Sequence, residues 1–361
     1  MKTKHFSNLS THVFCLVSWV FCVLWTTGMA LATENPVKIG VLAKRGPEQC
    51  LEKWSLTAEY LSDRIPDTSF VIVPLDHEKI YPSVERGEID FILANSSFYV
   101  ELEHRFRANR IATLKNRCLD RFYTRYYGVI FWKADRSDMR QLNDLRGKTF
   151  MATAKESFGG WRMAWRELKE KGLDPNKDFK DLKFGGTQDA VVYAVRDGVV
   201  DAGTVRADTF IRMDAEGKIN QKNFYVVHEH SHDAIYCPPF PHSTRGYPEW
   251  PMAKLKHTPD ELAEKVAIAL LEMPSDSPAA ITAKCGGWTI PMNYQSVHEC
   301  LKYLKVGPYK DLYKITLKDV VKNYWYIFVI SSAVFFIMAG FIESFFTRYT
   351  DMPLALSILT I

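Results

Sequence analysis

The chain reads as an α/β protein with two lobes of similar build, followed by one membrane-spanning helix. Three observations predict this. Short apolar strands alternate with amphipathic helices along most of the chain, the rhythm of helix-covered parallel sheets. That rhythm restarts after a longer strand-like stretch near its middle. A 20-residue run without charge lies near the end, from Asn323 to Ile342.

The opening residues carry an export signature. Lys2, Lys4 and His5 precede an apolar run from Val13 to Trp25, and Ala30-Leu31-Ala32 fits a small-x-small cleavage pattern. Residues 1–32 are expected to be a signal peptide cut before Thr33, with an uncleaved signal anchor as the alternative. Bulky Phe21 before Cys22 argues against a lipid-modified cysteine. Beyond the signal remain Cys50, Cys118, Cys237, Cys285 and Cys300. An exported domain permits disulfides, but five cysteines cannot all pair within one chain, and spacing does not say which do.

At 47% hydrophobic over 361 residues the chain can bury a sizeable core. A net charge of +4 without a dense basic run excludes nucleic acid as an expected partner. The first lobe begins with the strand Val37–Leu42 and the turn Ala43-Lys44-Arg45-Gly46-Pro47. Spacing then predicts a helix over Cys50–Leu61, with Leu51, Trp54, Ala58 and Leu61 on one face. A strand at Phe70–Leu75, a short helix stopped by Gly87 and a strand at Ile89–Ala94 follow, and the last ends in Asn95-Ser96-Ser97. Arg125–Trp132 is the expected crossover. The second lobe, about 133–225, has the strand Lys148–Thr153, a helix from Trp161 to about Lys171, a helix over Gln188–Asp197 and the strand Val199–Thr204. Asn223–His228 is a strand able to return toward lobe one, and Pro259–Met273 is an amphipathic helix. The binding domain as a whole is expected over 33–309.

Residues 310–322 read as a linker, 323–342 as the span and 343–361 as a short tail or a truncated continuation. Tyr324, Trp325 and Tyr326 supply an aromatic belt. Lys310, Lys314, Lys318 and Lys322 lie on the side expected to be exported, against the positive-inside tendency. An N-terminal signal overrides that bias, and the expected location is the inner membrane, with the main domain in the periplasm.

Ligands of such sheets bind at the carboxyl ends of strands. Five loops fall there: Lys44–Pro47, Asn95–Ser97, Ser157–Gly160, Gly185–Thr187 and Thr204–Arg206. Ser157-Phe158-Gly159-Gly160 is the leading candidate, because Ser and Gly at a helix start leave backbone N–H groups for an anion. An ordinary N-cap explains the same residues.

Four stretches carry a family likeness: Leu145–Leu168, Asp189–Asp208, Ser243–Thr258 and Gly286–Leu301. Over about Val37–Tyr309 the chain resembles PhnD-like periplasmic binding proteins, which bind phosphate, phosphite or phosphonate between two α/β lobes. It is more similar still to the periplasmic sensor region of tetrathionate-sensor histidine kinases. The resemblance implies a ligand-binding sensor rather than an enzyme. It matches Ser157, Gly159 and Gly160 to the anion loop, Thr187, Gln188 and Asp189 to the loop facing it, and Thr204 and Arg206 to the sensor-type GTVR run. PhnD-like proteins often carry His where Gln188 stands. For Arg206, an ion pair with Asp208 or Asp201 is the alternative. Lys44, Arg45, Asn95 and Ser96 are added from the strand ends of lobe one.

No cofactor or resident metal is expected. The partners implied are a small anion, the membrane, a histidine kinase or other signalling protein, and a second copy of the chain. A substrate-binding component of a phosphate/phosphonate-type transporter is the alternative function. His228-Glu229-His230-Ser231-His232 formally matches HExxH, but it follows a strand-like run and precedes Pro238-Pro239, so the helix that motif needs is poorly supported. Lys155 stands where a nucleophile elbow needs Gly, and Leu142 where a Walker loop needs its first Gly. Neither a phosphoacceptor helix nor an ATP-binding domain is recognised, so kinase activity is not expected of this chain.

Overall fold

The computed structural model describes residues 35–227, 240–311 and 317–350. The expected signal peptide and the HExxH-like stretch lie outside the described residues.

Lobe one is built on a mixed sheet. Strands β1 (Val37–Leu42), β2 (Phe70–Leu75) and β3 (Phe91–Leu93) are parallel, with β1 in the middle. Helices α1 (Pro47–Arg64) and α2 (Ile80–Glu85) make the connections, as the alternating pattern requires. Helix α1 buries Cys50, Trp54, Thr57, Ala58 and Leu61. Leu51, expected on that face, is instead 41% exposed. Helix α3 (Ser96–Phe106) leads into β4 (Asn109–Cys118), and β5 (Arg121–Tyr123) pairs with its end.

The expected crossover strand is two strands. A short β6 (Arg125–Tyr126) joins the lobes, and β7 (Gly128–Lys133) enters the second sheet. There it lies antiparallel to its neighbours, while β8 (Thr149–Ala152), β9 (Asp181–Phe184) and β10 (Ala202–Arg206) run parallel. The helix expected from Trp161 begins with a wider turn: Phe158–Arg162 is π-helical, with the Arg162 N–H reaching the Ser157 carbonyl at 3.0 Å. Helix α4 (Met163–Glu170) continues it. After a short α5 (Pro175–Asp178) come α6 (Gln188–Arg196), α7 (Ala207–Ala215) and β11 (Phe224–Val226). Sheet order in this lobe is β11-β7-β10-β8-β9. Its two faces bury separate apolar clusters, one around Phe131, Val191 and Phe210, the other around Trp132, Phe150 and Trp161.

The return crossing is held by side chains. Ser243 and Thr244 accept the backbone N–H groups of Ile130 and Gly128 at 2.8 and 2.9 Å. Strand β12 (Tyr247–Pro248) then pairs antiparallel with β6, which makes a two-stranded ribbon between the lobes. Strands β13 (Pro251–Lys254) and β14 (Cys285–Thr289) re-enter the first sheet antiparallel, giving the order β14-β4-β13-β3-β1-β2. A chain that leaves a sheet and comes back adds such antiparallel members, so neither sheet is wholly parallel. Helices α8 (Asp260–Leu271), α9 (Pro278–Thr282) and α10 (Gln295–Leu304) complete the lobe.

Among its described residues the C-terminal unit contains one α-helix, α11 (Leu317–Thr350). Its segment Val320–Tyr349 is 30 residues of predominantly apolar sequence, about 45 Å at 1.5 Å per residue and enough to cross a bilayer.

Candidate functional site

A cavity of about 330 Å³ opens between the lobes at the carboxyl end of β1. The β1–α1 turn and the first half of α1 line it from lobe one, and the end of β10 and helix α7 from lobe two. Its walls are basic. Lobe one contributes Lys44, Arg45, Lys53 and Lys284, and lobe two Arg206, Arg212 and Lys218. Indoles of Trp54 and Trp250 supply apolar wall between the charges.

Ion pairs across the cavity tie the lobes together. Arg45 forks onto both oxygens of Asp189 at 2.6 and 2.8 Å, and onto Glu216 at 2.9 and 2.8 Å. Hydrogen bonds from Arg45 and then Lys218 draw the Glu216 carboxyl down to about 2. Lys44 reaches Asp208 at 3.4 Å and the Thr209 hydroxyl at 3.2 Å. Burial, reinforced by the Arg206 charge, lowers the Lys44 ammonium to about 7. Asn116 donates to Asp208 at 3.3 Å, and Arg212 donates to the Asn116 side-chain oxygen at 3.0 Å.

Arg206 is almost completely enclosed. Its guanidinium pairs with Asp208 at 2.6 Å and with Glu249 at 2.6 and 3.3 Å, and its carbon stands 4.1 Å from the ring centre of Tyr126. Burial alone would raise the Asp208 carboxyl; Arg206, then Lys44 and Arg212, hold it well below the carboxylate range instead. Asp201, the other partner considered for Arg206, is taken by Thr149 and Arg136.

Of the residues singled out in the sequence, Lys44, Arg45 and Arg206 line this cavity. The others have local or interlobe duties. Ser157 caps its own turn, accepting the Gly160 N–H at 3.2 Å. Gly159 lies where a Cβ would stand 2.5 Å from Arg206 Cγ and 2.9 Å from Tyr126, and a Cβ at Gly160 would collide with Thr153. That turn is buried behind Arg206 and is not part of the cavity lining. Asn95 caps α3 through the N–H groups of Ser97 and Phe98, and Ser96 donates to the Pro248 carbonyl at 2.5 Å. Thr187 caps α6. Gln188 joins the lobes, with its N–H on the Lys44 carbonyl at 3.1 Å and its side-chain oxygen on the Arg206 N–H at 3.0 Å. Asp189 holds Arg45, and Thr204 is buried with its hydroxyl unpartnered among the described residues.

Lys53, Arg212, Glu249 and Trp250 were not singled out. A readable signal existed for Lys53, which lies three residues after buried Cys50 and four before buried Thr57, and so on the inward face of its helix. Glu249 and Trp250 carry no such signal, because their place follows from the return crossing. Among the described residues no group of three or more His, Cys, Asp or Glu is placed to hold a metal ion.

Two α/β lobes, a two-stranded ribbon between them and a ligand-sized interlobe cavity define a periplasmic-binding-protein-like domain. The family model for the ABC-transporter phosphonate periplasmic substrate-binding protein matches residues 39–289. The chain belongs to that family. It is 30% identical over 275 residues to the tetrathionate sensor histidine kinase TtrS of Salmonella typhimurium, a match covering 75% of this chain and 44% of TtrS. The chain therefore spans less than half the length of that relative. Among solved structures it is similar to PhnD1 of Prochlorococcus marinus in complex with methylphosphonate, with TM-score 0.62, 13% identity, and coverage of 74% of this chain and 98% of PhnD1. A binding-protein component of a phosphonate transporter from Pseudomonas aeruginosa gives TM-score 0.62 and 13% identity, covering 85% and 99%. At those identities the structural likeness speaks for the fold.

Proposed function

We propose that this chain is the input module of a membrane-anchored sensor, and that it binds a small oxyanion between its lobes. The observation that carries the reading is the charge of the cavity. Seven basic side chains line it, against the carboxylates of Glu52, Glu216 and Glu249 in the lining and of Asp189 and Asp208 behind it. With Lys44 and Lys53 protonated, that is an excess of two positive charges, which suits a dianion. Its volume lies at the lower end of the range for ligand pockets, roughly 300–1,000 Å³.

Both lobes contribute cations, so a bound anion favours the arrangement that brings them together. Closure is then passed to helix α11, which anchors the domain in the inner membrane after signal cleavage before Thr33. The relative's kinase role supports a histidine kinase as the downstream partner and a homodimer as the working unit. Tetrathionate, sensed by that relative, and phosphonates, named for the family, are the first ligands to try.

Delivery of an oxyanion to a transporter is the second reading, favoured by the family description. The Val320–Tyr349 segment favours the sensor, because a delivery protein has to leave its site of capture.

Calorimetry and thermal-shift measurements on the full chain in detergent test the proposal, with tetrathionate, thiosulfate, sulfite, phosphate and methylphosphonate as probes. Binding of at least one should raise the melting temperature in proportion to the logarithm of its concentration. A protein indifferent to all five would overturn the anion reading.

A further inference from the structure

We infer that an anionic ligand pairs with Lys53 in the interlobe cavity, supplying the acceptor that the protein does not. The inference rests on the reading of this cavity as an anion site and names the residue on which that reading turns.

The other basic side chains of the lining already have acceptors. Arg45, Lys218 and Lys284 share Glu216, Arg206 has Asp208 and Glu249, Lys44 has Asp208, and Arg212 has Asn116 and the Arg117 carbonyl. Lys53 is different. Its ammonium has no hydrogen-bond or ion-pair acceptor among the described residues, and its recorded contact is the ring of Trp54, 4.9 Å away. The charged and titratable groups that bear on it are Arg212 and Asp208 from α7, Lys44 from the β1–α1 turn and Cys285 from β14. Asp208 is the sole carboxylate among these four, and Arg206, Lys44 and Arg212 already draw on it.

A second donor without an acceptor lines the same cavity. Trp250 is 5% exposed, and its indole N–H is unpartnered among the described residues. Leaving such a group buried and unsatisfied costs stability that a ligand oxygen would recover. The Lys53 ammonium, the Trp250 indole N–H and the Arg212 Nε–H, none with a hydrogen-bond acceptor among the described residues, are what an oxyanion can satisfy and the protein does not.

Proton uptake follows from the same surroundings. Burial, then the charges of Arg212 and Lys44, push the Lys53 ammonium well below its usual value. An anion beside it reverses that push, so the amine gains a proton as the ligand enters. Affinity should fall as pH rises.

Calorimetry on the full chain in detergent at pH 6 and pH 8, in two buffers of different ionisation heat, tests this. Tetrathionate, thiosulfate and sulfate are the probes whose own charge stays fixed over that range. Whichever of them binds should do so more tightly at pH 6 than at pH 8, with a proton taken up on binding. K53M should weaken that probe tenfold or more and reduce the uptake to the share that Lys44, titrating at about 7 in the same cavity, supplies. K53R should keep binding with the uptake reduced in the same way, because a guanidinium stays charged throughout. K265M, at an exposed position of α8, should match the wild type in both readouts. If sulfite, phosphate or methylphosphonate is the probe that binds, the K53M loss at pH 6 decides. Without ligand, K53M should melt no lower than the wild type, because an amine without an acceptor has been removed. Wild-type affinity and uptake retained in K53M would overturn the inference and leave the anion reading intact. A wild type that binds none of the probes would overturn both.

Discussion

Arg206 and Lys53 line one cavity from different lobes and are treated in opposite ways. Arg206 is 3% exposed, yet two carboxylates and a tyrosine ring compensate it. Lys53 is only partly buried and meets an indole face and other cations. Coulomb energy explains why the contrast matters. Near a protein surface, opposite unit charges 4 Å apart attract by about 4 kcal/mol, and like charges repel by as much. A matched buried charge therefore serves the fold, while an unmatched one leaves capacity for something from outside. Charge type alone does not make a site; the missing partner does.

The largest test of that contrast removes the match. Glu249→Ala strips Arg206 of its two-point carboxylate in a buried setting, and the loss should be about 3–5 kcal/mol, read from denaturant unfolding of the full chain in detergent. A loss below 1 kcal/mol would mean that Asp208 and Tyr126 suffice.

Next in size is the space behind Arg206. Gly159→Ala places a methyl against Arg206 Cγ and the Tyr126 ring, and overpacking of this kind costs about 1–3 kcal/mol. Unchanged stability would show that Arg206 moves aside freely, contrary to a compensated and fixed role.

Ser157→Ala tests the turn in front of that glycine. Loss of an N-cap costs about 1 kcal/mol. If the turn acts as a cap and not as a ligand contact, the melting temperature should drop while affinity for whichever probe binds stays within threefold. A large affinity loss at unchanged stability would return this turn to the head of the ligand contacts.

A test of a different kind concerns Lys44, read from a pH dependence and not from stability at one pH. Its folded ammonium titrates at about 7 and an unfolded one at about 10.4. Between those values the unfolded chain binds more protons, so this residue makes stability rise as pH rises from 7 toward 10, and its full cost is felt below 7. Lys44→Met should flatten that slope in a series of unfolding curves. An unaltered slope would place the titration elsewhere.

Much of this architecture was legible because local pattern decides it. The strands Val37–Leu42 and Phe70–Leu75 came straight from apolar runs and their turn residues, and β1 delivered Lys44 and Arg45 to the cavity. Arg206 was legible from its place at the carboxyl end of a buried strand. The Ser157 turn shows the limit of that logic. Ser and Gly after a strand look alike whether the N–H groups face a ligand or close on their own serine, and the difference lies in what packs over them. Here that is Arg206 and Tyr126, which are distant in sequence. Glu249 and Trp250 arrive by the second crossing, more than 40 residues after Arg206, and no spacing rule links them. The pairing of Arg206 with Asp208 was foreseeable two residues away; the pairing with Glu249 was not.

The bond from the Gln188 amide to the Lys44 carbonyl has a use of its own. Gln188 is the first residue of α6, where an amide has no acceptor inside its helix. Its proton is therefore shielded by the opposite lobe instead of by its own helix. Under the proposed closure mechanism, an opening of the lobes would bring that proton to solvent, where it would exchange for deuterium, and closure would cover it again. A single main-chain position thus works as a clock for the hinge, and its exchange rate counts openings without any label attached to the protein.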